Sequence, residues 1–337
     1  MSVAASHATL LLSGFDVARH LTLDRCIAAV EHGFAQLGRG QAPAPGLLGM
    51  HAPESSGGFH IKAALLSSAG EKTYFAAKCN ANFPGNPKLR GLPAIQGVVI
   101  LCDASDGRLL ALMDSMELTA LRTAAATAVA ARFLARTDSR VGTICGCGTQ
   151  GRIHFRALLR VLPLARVFAY DADAETSARF VSDMANDTGI AVELITDLRT
   201  VTRQSDIVVT CTPSRSPLLH HADLRPGTFL AAVGADNPEK QELDPQLLRD
   251  AKLVVDSLEQ CAAIGELHHA LEGGVLTKAD VHAELGQLAA GLKPGRVNAE
   301  EITIFDSTGV AIEDAAAAIA VYEAALAGET QSFHFGS

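Results

Sequence analysis

RVGTICGCGTQGRIHFRALLRVLPLARVFAYD, residues Arg140 to Asp171, is the stretch that decides the fold of this 337-residue chain. Val141 to Cys145 is a short apolar run, which is typical of a parallel strand that is buried on both faces. A glycine-rich turn, a helix-forming segment and a second apolar strand follow it in that order. The stretch therefore predicts one complete strand, turn, helix and strand unit.

The turn GCGTQG, residues 146–151, matches the pattern GxGxxG directly after the first strand. Gly146 makes the tight turn, Gly148 lets the main chain approach a pyrophosphate, and Gly151 lets the helix pack on the sheet. The helix that begins near Thr149 and Gln150 points its free N–H groups and its positive end at that phosphate. We therefore predict that these five residues bind a dinucleotide.

Asp171 ends the second strand, about 20 residues after the last glycine, where such folds place the acid that binds a ribose 2′-OH. A carboxylate there repels the 2′-phosphate of NADP, and residues 172–174 contain no arginine that could bind one. The sequence thus predicts NAD as the cofactor, with NADH preferred over NADPH.

The alternation of strands and helices continues from Arg140 to the end of the chain, which predicts a doubly wound parallel sheet of the Rossmann type. Polar residues follow three of its strands, at 210–213, 234–237 and 306–309. Because ligands bind beyond the carboxyl ends of the strands in such sheets, we expect the polar residues to lie at the binding edge.

The region before Arg140 reads as α+β and largely antiparallel. A capped apolar helix is predicted from Thr22 to Leu37. The predicted strands are Phe59–Leu66, Tyr74–Asn80, Gly97–Cys102 and Leu109–Met113, and a long alanine-rich helix runs from Asp114 or Ser115 to Arg136. The segments 41–49 and 83–96 are rich in Pro and Gly and are predicted to be irregular loops.

The chain length favours two domains. We assign residues 1–118 to the first domain and residues 119–314 to the Rossmann domain. An alanine-rich, amphipathic helix from Ala311 to Leu326 is expected to pack back on the first domain, so that residues 315–337 complete it.

Composition excludes several classes of function. The net charge of −9 comes with no basic block or stripe, which argues against nucleic acid and membrane surfaces as partners. No apolar run approaches about 18 residues, and the first 20 residues lack the basic segment of a secretion signal, so we expect a cytoplasmic protein. The seven cysteines are scattered, which predicts free thiols and no metal site.

Five segments together carry a family resemblance. They are AAKCNANFPGNPKLRGLPAIQG (76–97), LTALRTAAATAVAARFLA (118–135), GCGTQG (146–151), VGADNPEKQELD (233–244) and FDSTGVAIEDAAAA (305–318). The joint pattern resembles the ornithine cyclodeaminase and mu-crystallin family over residues 20 to 325. The resemblance implies an NAD(P)-binding Rossmann domain, an N-terminal dimerisation domain and a homodimer. It also implies an oxidoreductase acting on C=N and CH–NH bonds through an α-imino acid.

The resemblance also implies roles for three charged residues. The family's carboxylate-binding lysine and arginine fall on Lys78 and Arg122, and its catalytic aspartate falls on Asp236. Two cations are a natural grip for a carboxylate, and a carboxylate can support an iminium nitrogen or its proton. From the residues alone, Lys78 and Arg122 could instead be cations that reach the surface, and Asp236 an ordinary loop residue. Hydrogen bonds to the cofactor are expected from Thr123, Thr212 and Ser307.

Two departures from the family concern the substrate. The loop after the first helix lacks the arginine that often joins the carboxylate site, and we expect Lys62 to supply that charge. Where cyclodeaminases carry an acid for the substrate's amines, this chain offers His60 and Lys62, which would repel a diamine.

The sequence thus predicts an NADH-dependent reductase of small α-imino acids, with Δ1-pyrroline-2-carboxylate reduced to L-proline as the leading reaction of a proline-metabolising ketimine reductase. The alternatives are, in order, an ornithine cyclodeaminase that recycles NAD, an alanine dehydrogenase, and a non-catalytic nucleotide-dependent binding protein.

Overall fold

The computed structural model describes residues 8–52, 57–328 and 330–335. These residues cluster into two compact units. Unit 1 comprises Met1–Arg122 and Val310–Ser337, and unit 2 comprises Thr123–Gly309. The chain therefore leaves unit 1, builds all of unit 2 and then returns to unit 1.

The first half of the chain alternates irregularly between strands and helices. Its elements are β1 (Thr9–Leu12), α1 (Gly14–His20), α2 (Leu23–Gly38), β2 (Gly46–Ala52), β3 (Gly57–Ser67), β4 (Thr73–Asn82), α3 (Asn86–Arg90), β5 (Ile95–Asp103), β6 (Leu109–Asp114) and α4 (Ser115–Leu134).

The second half alternates more regularly. Its elements are β7 (Val141–Cys145), α5 (Thr149–Leu158), β8 (Arg166–Tyr170), α6 (Ala174–Thr188), β9 (Ala191–Leu194), α7 (Leu198–Thr202), β10 (Ile207–Thr210), β11 (Arg215–Leu219), β12 (Phe229–Ala232), β13 (Gln241–Leu243), α8 (Pro245–Arg249), β14 (Lys252–Val255), α9 (Leu258–Ile264), α10 (Glu266–Glu272), β15 (Ala283–Glu284), α11 (Leu285–Ala289), β16 (Thr303–Asp306), α12 (Ala311–Ala325) and β17 (Ser332–Phe333).

Unit 1 is built on a seven-stranded sheet in the order β17-β1-β6-β5-β4-β3-β2. Every neighbouring pair is antiparallel except β1 and β6, so the predicted antiparallel α+β character is confirmed. Side chains alternate between the two faces of each strand, and α12 packs against α2 on the face that carries Tyr74, Ala76 and Lys78 of β4. That face is the buried core of the unit.

Helix α12 packs back within unit 1, but it is not amphipathic as predicted. Between Ala311 and Ala325, Glu323 alone is exposed. The small alanine side chains allow neighbours to approach closely, and a Cβ added to Gly33 of α2 would lie 3.3 Å from the Cβ of Ala316. A helix surrounded on nearly all sides needs no polar stripe, because every face is removed from water.

Two segments that were predicted to be loops contain regular structure. Helix α3 forms inside the segment 83–96, where Pro87 occupies the first turn of a helix without loss of a hydrogen bond. Strand β2 begins at Gly46, three residues before the end of the predicted loop, and forms an edge of the sheet. The short elements β1, α1 and β17 also went unpredicted.

Unit 2 contains an eight-stranded parallel sheet in the order β15-β14-β16-β12-β10-β7-β8-β9. The chain enters at β7, proceeds one way to β8 and β9, and then crosses to β10 on the other side of β7. This reversal of strand order is the doubly wound arrangement, so the predicted fold class is confirmed. The carboxyl ends of five adjacent strands, β16, β12, β10, β7 and β8, consequently lie along one edge.

Candidate active site

The glycine-rich turn between β7 and α5 accepts only glycine at two positions. Gly146 has a φ of +101°, and a Cβ there would lie 2.8 Å from the carbonyl oxygen of Cys211. A Cβ on Gly151 would lie 2.0 Å from the carbonyl oxygen of Gly146. The turn therefore brings the start of α5 directly onto the end of β7.

The first turn of α5 is open toward a ligand. Gly148 precedes the helix, no side chain caps its N–H groups, and a Cβ on Gly148 would meet open space. Within the described residues, the buried Oε1 atom of Gln150 has no hydrogen-bond partner. Uncapped N–H groups at the positive end of a helix fit a pyrophosphate, so the residues from Gly146 to Gly151 fit the phosphates of a dinucleotide.

Asp171 follows β8 and is oriented by the glycine-rich turn. Its Oδ2 atom accepts a hydrogen bond from the main-chain N–H of Cys147 at 2.8 Å, and its Oδ1 atom accepts one from the N–H of Asp173 at 3.0 Å. A carboxylate has about four acceptor positions, so Asp171 keeps capacity for ribose hydroxyls. Its role in binding ribose stays a prediction.

Lys78 and Arg122 are brought together in unit 1 by one acid. Oδ1 of Asp314 lies 2.8 Å from Nζ of Lys78 and 2.9 Å from Nε of Arg122. Nη1 of Arg122 also donates to Oε2 of Glu313 at 2.8 Å. All four side chains are buried, with at most 6% of any of them exposed. We refer to Lys78, Arg122, Glu313 and Asp314 as the charge cluster.

Secondary structure explains how the charge cluster assembles. Lys78 lies on the buried face of β4, and Arg122 lies on α4. Glu313 and Asp314 occupy the first turn of α12, where acids interact favourably with the helix dipole, and Oε1 of Glu313 accepts from the N–H of Val310 at 2.9 Å. Neither cation reaches the surface, and their predicted role in binding the substrate carboxylate stays a prediction.

Burial and mutual repulsion determine the protonation of the charge cluster. Burial, together with the neighbouring charge of Arg122, lowers the pKa of Lys78 to about 7, although Asp314 opposes that shift. Burial acts to raise the pKa of Asp314, but Arg122, Lys78 and Lys62 together hold it below its usual range. Asp314 is therefore ionised at neutral pH, whereas Lys78 is poised to exchange a proton.

Lys62 lies beside Lys78 on the same face of the sheet. The register pairs Lys62 with Lys78, and His60 with Asn80. Lys62 is half-buried, and its charge lowers the pKa values of both Lys78 and Asp314. His60 is exposed and its ring lies over Gly49, because a Cβ there would be 3.4 Å from Cδ2 of the imidazole. Lys62 and Lys78 thus share one face of the sheet.

Sequence reasoning missed the two acids of the charge cluster. Glu313 and Asp314 are the only charged residues in the run from Gly309 to Tyr322. Arg122 was noticed because it is a fixed charge in a nearly apolar helix, and the same observation on α12 would have found both acids.

The predicted residues of unit 2 lie in the loops at the carboxyl edge of its sheet. Asp236 follows β12, is exposed, and its Oδ1 atom lies 2.7 Å from Nζ of Lys240. Thr212 follows β10 and donates its hydroxyl hydrogen to Glu242 at 2.7 Å. Ser307 follows β16 and donates its hydroxyl hydrogen to Asp256 at 3.1 Å.

Thr123 is half-buried on α4, directly after Arg122. The roles predicted for Asp236, Thr212, Ser307 and Thr123 stay predictions.

The part of the chain that the structure describes offers few other candidate sites. No group of three His, Cys, Asp or Glu side chains there is arranged to hold a metal ion. All seven cysteines are free thiols. None of the described helices combines the length and apolarity that crossing a membrane requires. A cavity of about 600 Å³ lies between α2 and α12, but its lining includes no residue of the charge cluster.

Comparison with known proteins identifies the family. The sequence profile of the ornithine cyclodeaminase/mu-crystallin family matches residues 7–329. This chain belongs to that family. The predicted family is therefore confirmed over nearly the whole sequence.

Individual relatives differ in the reactions they are named for. An alanine dehydrogenase from Archaeoglobus fulgidus is 41% identical over 318 residues, which cover 94% of this chain and 95% of that protein. A solved archaeal alanine dehydrogenase dimer with bound NAD is 40% identical, with a TM-score of 0.91 over 97% of this chain and 99% of the other. The Δ1-pyrroline-2-carboxylate reductase of Thermococcus litoralis, solved with NADH and L-proline, is 34% identical, with a TM-score of 0.88 over 95% and 98%.

Proposed function

We propose that this protein is an NADH-dependent reductase of small α-imino acids that carry one carboxylate, with Δ1-pyrroline-2-carboxylate reduced to L-proline as the leading reaction. The observation that carries the proposal is the buried charge cluster, in which Lys78 and Arg122 converge on one oxygen of Asp314. Two cations held this close in a protein interior form a site for an anionic group.

The enzyme class predicted from the sequence, an NAD-dependent oxidoreductase, is confirmed by relatives that are named dehydrogenases and reductases. The glycine-rich turn and the uncapped start of α5 fit the pyrophosphate of NAD. The preference for NADH over NADPH is part of our proposal, and the carboxylate of Asp171 supports it because that charge repels a 2′-phosphate.

The proposed reaction needs one hydride and one proton. Bound NADH would supply the hydride to the imine carbon, and the imine nitrogen would gain the proton, which gives an amino acid and NAD⁺. Lys78 and Arg122 hold the substrate carboxylate, and Lys62 adds a third positive charge. Asp236 supports the iminium nitrogen and its proton.

The charges on the buried face of unit 1 favour a monocarboxylate. With Lys78 protonated and both acids ionised, Lys62, Lys78 and Arg122 contribute three positive charges and Glu313 and Asp314 contribute two negative charges, so the net charge is one positive. A substrate with one carboxylate neutralises that charge. A dicarboxylate would bring one negative charge too many, and the distal amine of ornithine would meet like charge, which disfavours a cyclodeaminase.

Alanine dehydrogenation is the second candidate, and the 41% identity to the alanine dehydrogenase of Archaeoglobus fulgidus favours it. The imino acid formed from pyruvate and ammonia also carries one carboxylate, so the charge count fits both substrates equally. The two imino acids differ in size, and only Δ1-pyrroline-2-carboxylate contains a ring. They therefore fill the space around the imine differently.

We also propose a homodimer, and the outer face of the unit 1 sheet supports it. This face is opposite to that of Lys78 and carries apolar side chains that remain half-exposed or exposed: Ile61, Ala63, Leu65, Phe75, Ala77, Cys79, Val98, Ile100 and Cys102. A broad apolar sheet face in contact with water is typical of a surface that a second copy covers.

Purified protein should be assayed for NADH oxidation with Δ1-pyrroline-2-carboxylate, with pyruvate plus ammonium, and with iminosuccinate. Proline formation from ornithine with catalytic NAD is the parallel assay. Fast NADH oxidation with the cyclic imine supports the leading reaction, and a higher kcat/KM with pyruvate plus ammonium would replace it by alanine dehydrogenation. Proline formed from ornithine without net NADH change would refute the charge argument. Tight NADH binding without any turnover would indicate a binding protein.

A further inference from the structure

Glu242 is a fully buried acid that joins two loops at the carboxyl edge of the unit 2 sheet. Its Oε1 atom accepts hydrogen bonds from the main-chain N–H of Thr212 at 2.6 Å and from the Thr212 hydroxyl at 2.7 Å. Its Oε2 atom accepts one from the N–H of Gly234 at 3.0 Å. Thr212 follows β10 and Gly234 follows β12, so a single carboxylate fixes the separation of two neighbouring loops. We call this arrangement the Glu242 bridge.

The Glu242 bridge leaves little free space around it. A Cβ on Gly234 would lie 2.5 Å from the carboxyl carbon of Glu242 and 2.5 Å from the carbonyl oxygen of Thr212. The two loops can approach the carboxylate this closely only because residue 234 is glycine. A change in the chemistry or length of the acid therefore has to move one of the loops.

Two further buried acids accept main-chain hydrogen bonds that fix the position of the Glu242 bridge. Glu266 accepts hydrogen bonds from the N–H groups of Glu242 at 2.8 Å and Leu243 at 3.0 Å. Asp306, the last residue of β16, accepts from the N–H groups of Glu266 at 3.2 Å and Leu267 at 2.9 Å. Hydrogen bonds from main-chain N–H groups to carboxylates thus connect the end of β16 to Glu242. The bridge is fixed relative to the sheet itself.

We propose that Glu242 is a positioning residue, which sets the Thr212 loop and the Asp236 loop in the relative places that turnover requires. The inference rests on the proposed function, in which Thr212 contacts the cofactor and Asp236 serves the imine nitrogen. Asp236 is two residues beyond Gly234, so a shift of this loop moves its carboxylate. A displacement of about 1 Å in such a group lowers turnover by about 100-fold.

The test is Glu242→Gln, compared with Asp206→Asn as a matched control. In Glu242→Gln, the amide NH₂ faces one of the main-chain N–H donors, so one side of the bridge loses its hydrogen bond. Asp206 is also buried and accepts main-chain N–H groups, from Arg140 at 2.7 Å and Val141 at 3.0 Å. It lies where β7 and β10 begin, at the opposite edge of the sheet, so its loss affects stability without affecting the two loops.

Hydrogen exchange measured by mass spectrometry on the free protein reports the loops directly, for peptides that contain residues 211–214 and 233–237. We expect faster exchange in the peptide whose N–H donor faces the amide NH₂ of Glu242→Gln, and no change in either peptide for Asp206→Asn. In kinetics well below the unfolding temperature, kcat should fall by about 10- to 100-fold for Glu242→Gln, with the KM for the imino acid nearly unchanged.

Unchanged exchange in both loops, or a kcat within about twofold of that of Asp206→Asn, would overturn the proposal. If the wild-type protein reduces no imino acid, the proposed function fails instead. In that case NADH affinity takes the place of kcat, and equal affinity in Glu242→Gln and wild-type protein would overturn the positioning role.

Discussion

The two units of this protein bury charge in different ways. In unit 1, buried cations and acids neutralise one another through side chains, as Lys78 and Arg122 do with Asp314. In unit 2, the buried acids Glu242 and Glu266 accept hydrogen bonds from main-chain N–H groups. A side-chain cluster places cations where they can also contact a ligand, whereas a carboxylate bonded to the main chain fixes the position of a loop.

The largest effect is expected at Asp236, which departs from the pattern of unit 2 because it is exposed and faces Lys240. Asp236→Asn should lower kcat by about 10²- to 10⁴-fold, since an amide cannot accept or stabilise the proton, while NADH binding is retained. Stopped-flow kinetics and NADH fluorescence titration measure the two quantities. The control is Glu239→Gln, an exposed acid on the same loop. A fully active Asp236→Asn variant would remove this residue from the mechanism.

Removal of one partner from the charge cluster tests the description of unit 1. Arg122→Met should lower the free energy of unfolding by about 3–5 kcal/mol, because Glu313 and Asp314 stay buried without their guanidinium. Arg179→Met is the matched control, since Arg179 pairs with Glu175 on an exposed helix surface, and there we expect a loss of about 0.3–0.5 kcal/mol. Urea denaturation measures both, and equal losses would contradict the comparison between buried and exposed pairs.

Replacement of Lys62 tests whether its charge contributes to substrate binding. Lys62→Met should raise the KM for the imino acid by about 10- to 100-fold with a smaller change in kcat, because one charge-assisted contact to the carboxylate is lost. Lys72→Met, which removes a more exposed lysine paired with Asp103, should leave KM unchanged. An unaltered KM in Lys62→Met would mean that Lys78 and Arg122 suffice.

The pH dependence of substrate binding gives the smallest effect. Because the pKa of Lys78 is lowered to about 7, Lys78 loses its proton as pH rises from 6 to 8, and the carboxylate loses a cation. KM should therefore rise by about 10-fold across that range. Lys78→Arg keeps its charge throughout, so its KM should vary less with pH. An identical pH profile for both proteins would assign the titration to another group.

Regular periodicity made most of the fold predictable. The strands of unit 2 are continuous apolar runs, and the glycine pattern fixes the register of strand, turn and helix around Gly146 and Gly151. Short elements such as β1 and α3 were missed because a few residues carry no periodicity. Helix α12 was misread because a helix that is buried all round has no polar face to detect.

The site was predictable only where a residue type or a motif stood out. Arg122 could be noticed as a charge in an apolar helix, and Lys78 was found through the family pattern. Arg122 contacts Glu313, 191 positions later in the chain, and Lys78 contacts Asp314, 236 positions later, and sequence spacing does not reveal such contacts. Glu242 was not singled out within the segment 233–244, because a single acid in a short strand looks like any surface residue until its burial is known.

The return of the chain to unit 1 has a consequence for protein synthesis. The cations of the charge cluster leave the ribosome early, but both acids lie on α12, which emerges only after the whole of unit 2. Until α12 has been synthesised, it cannot cover the unit 1 sheet, and Lys78 and Arg122 lack their counter-charges. Unit 1 therefore cannot complete its fold cotranslationally before unit 2 has been made, and a premature stop codon ahead of α12 yields a chain with neither a finished core nor a functional charge cluster.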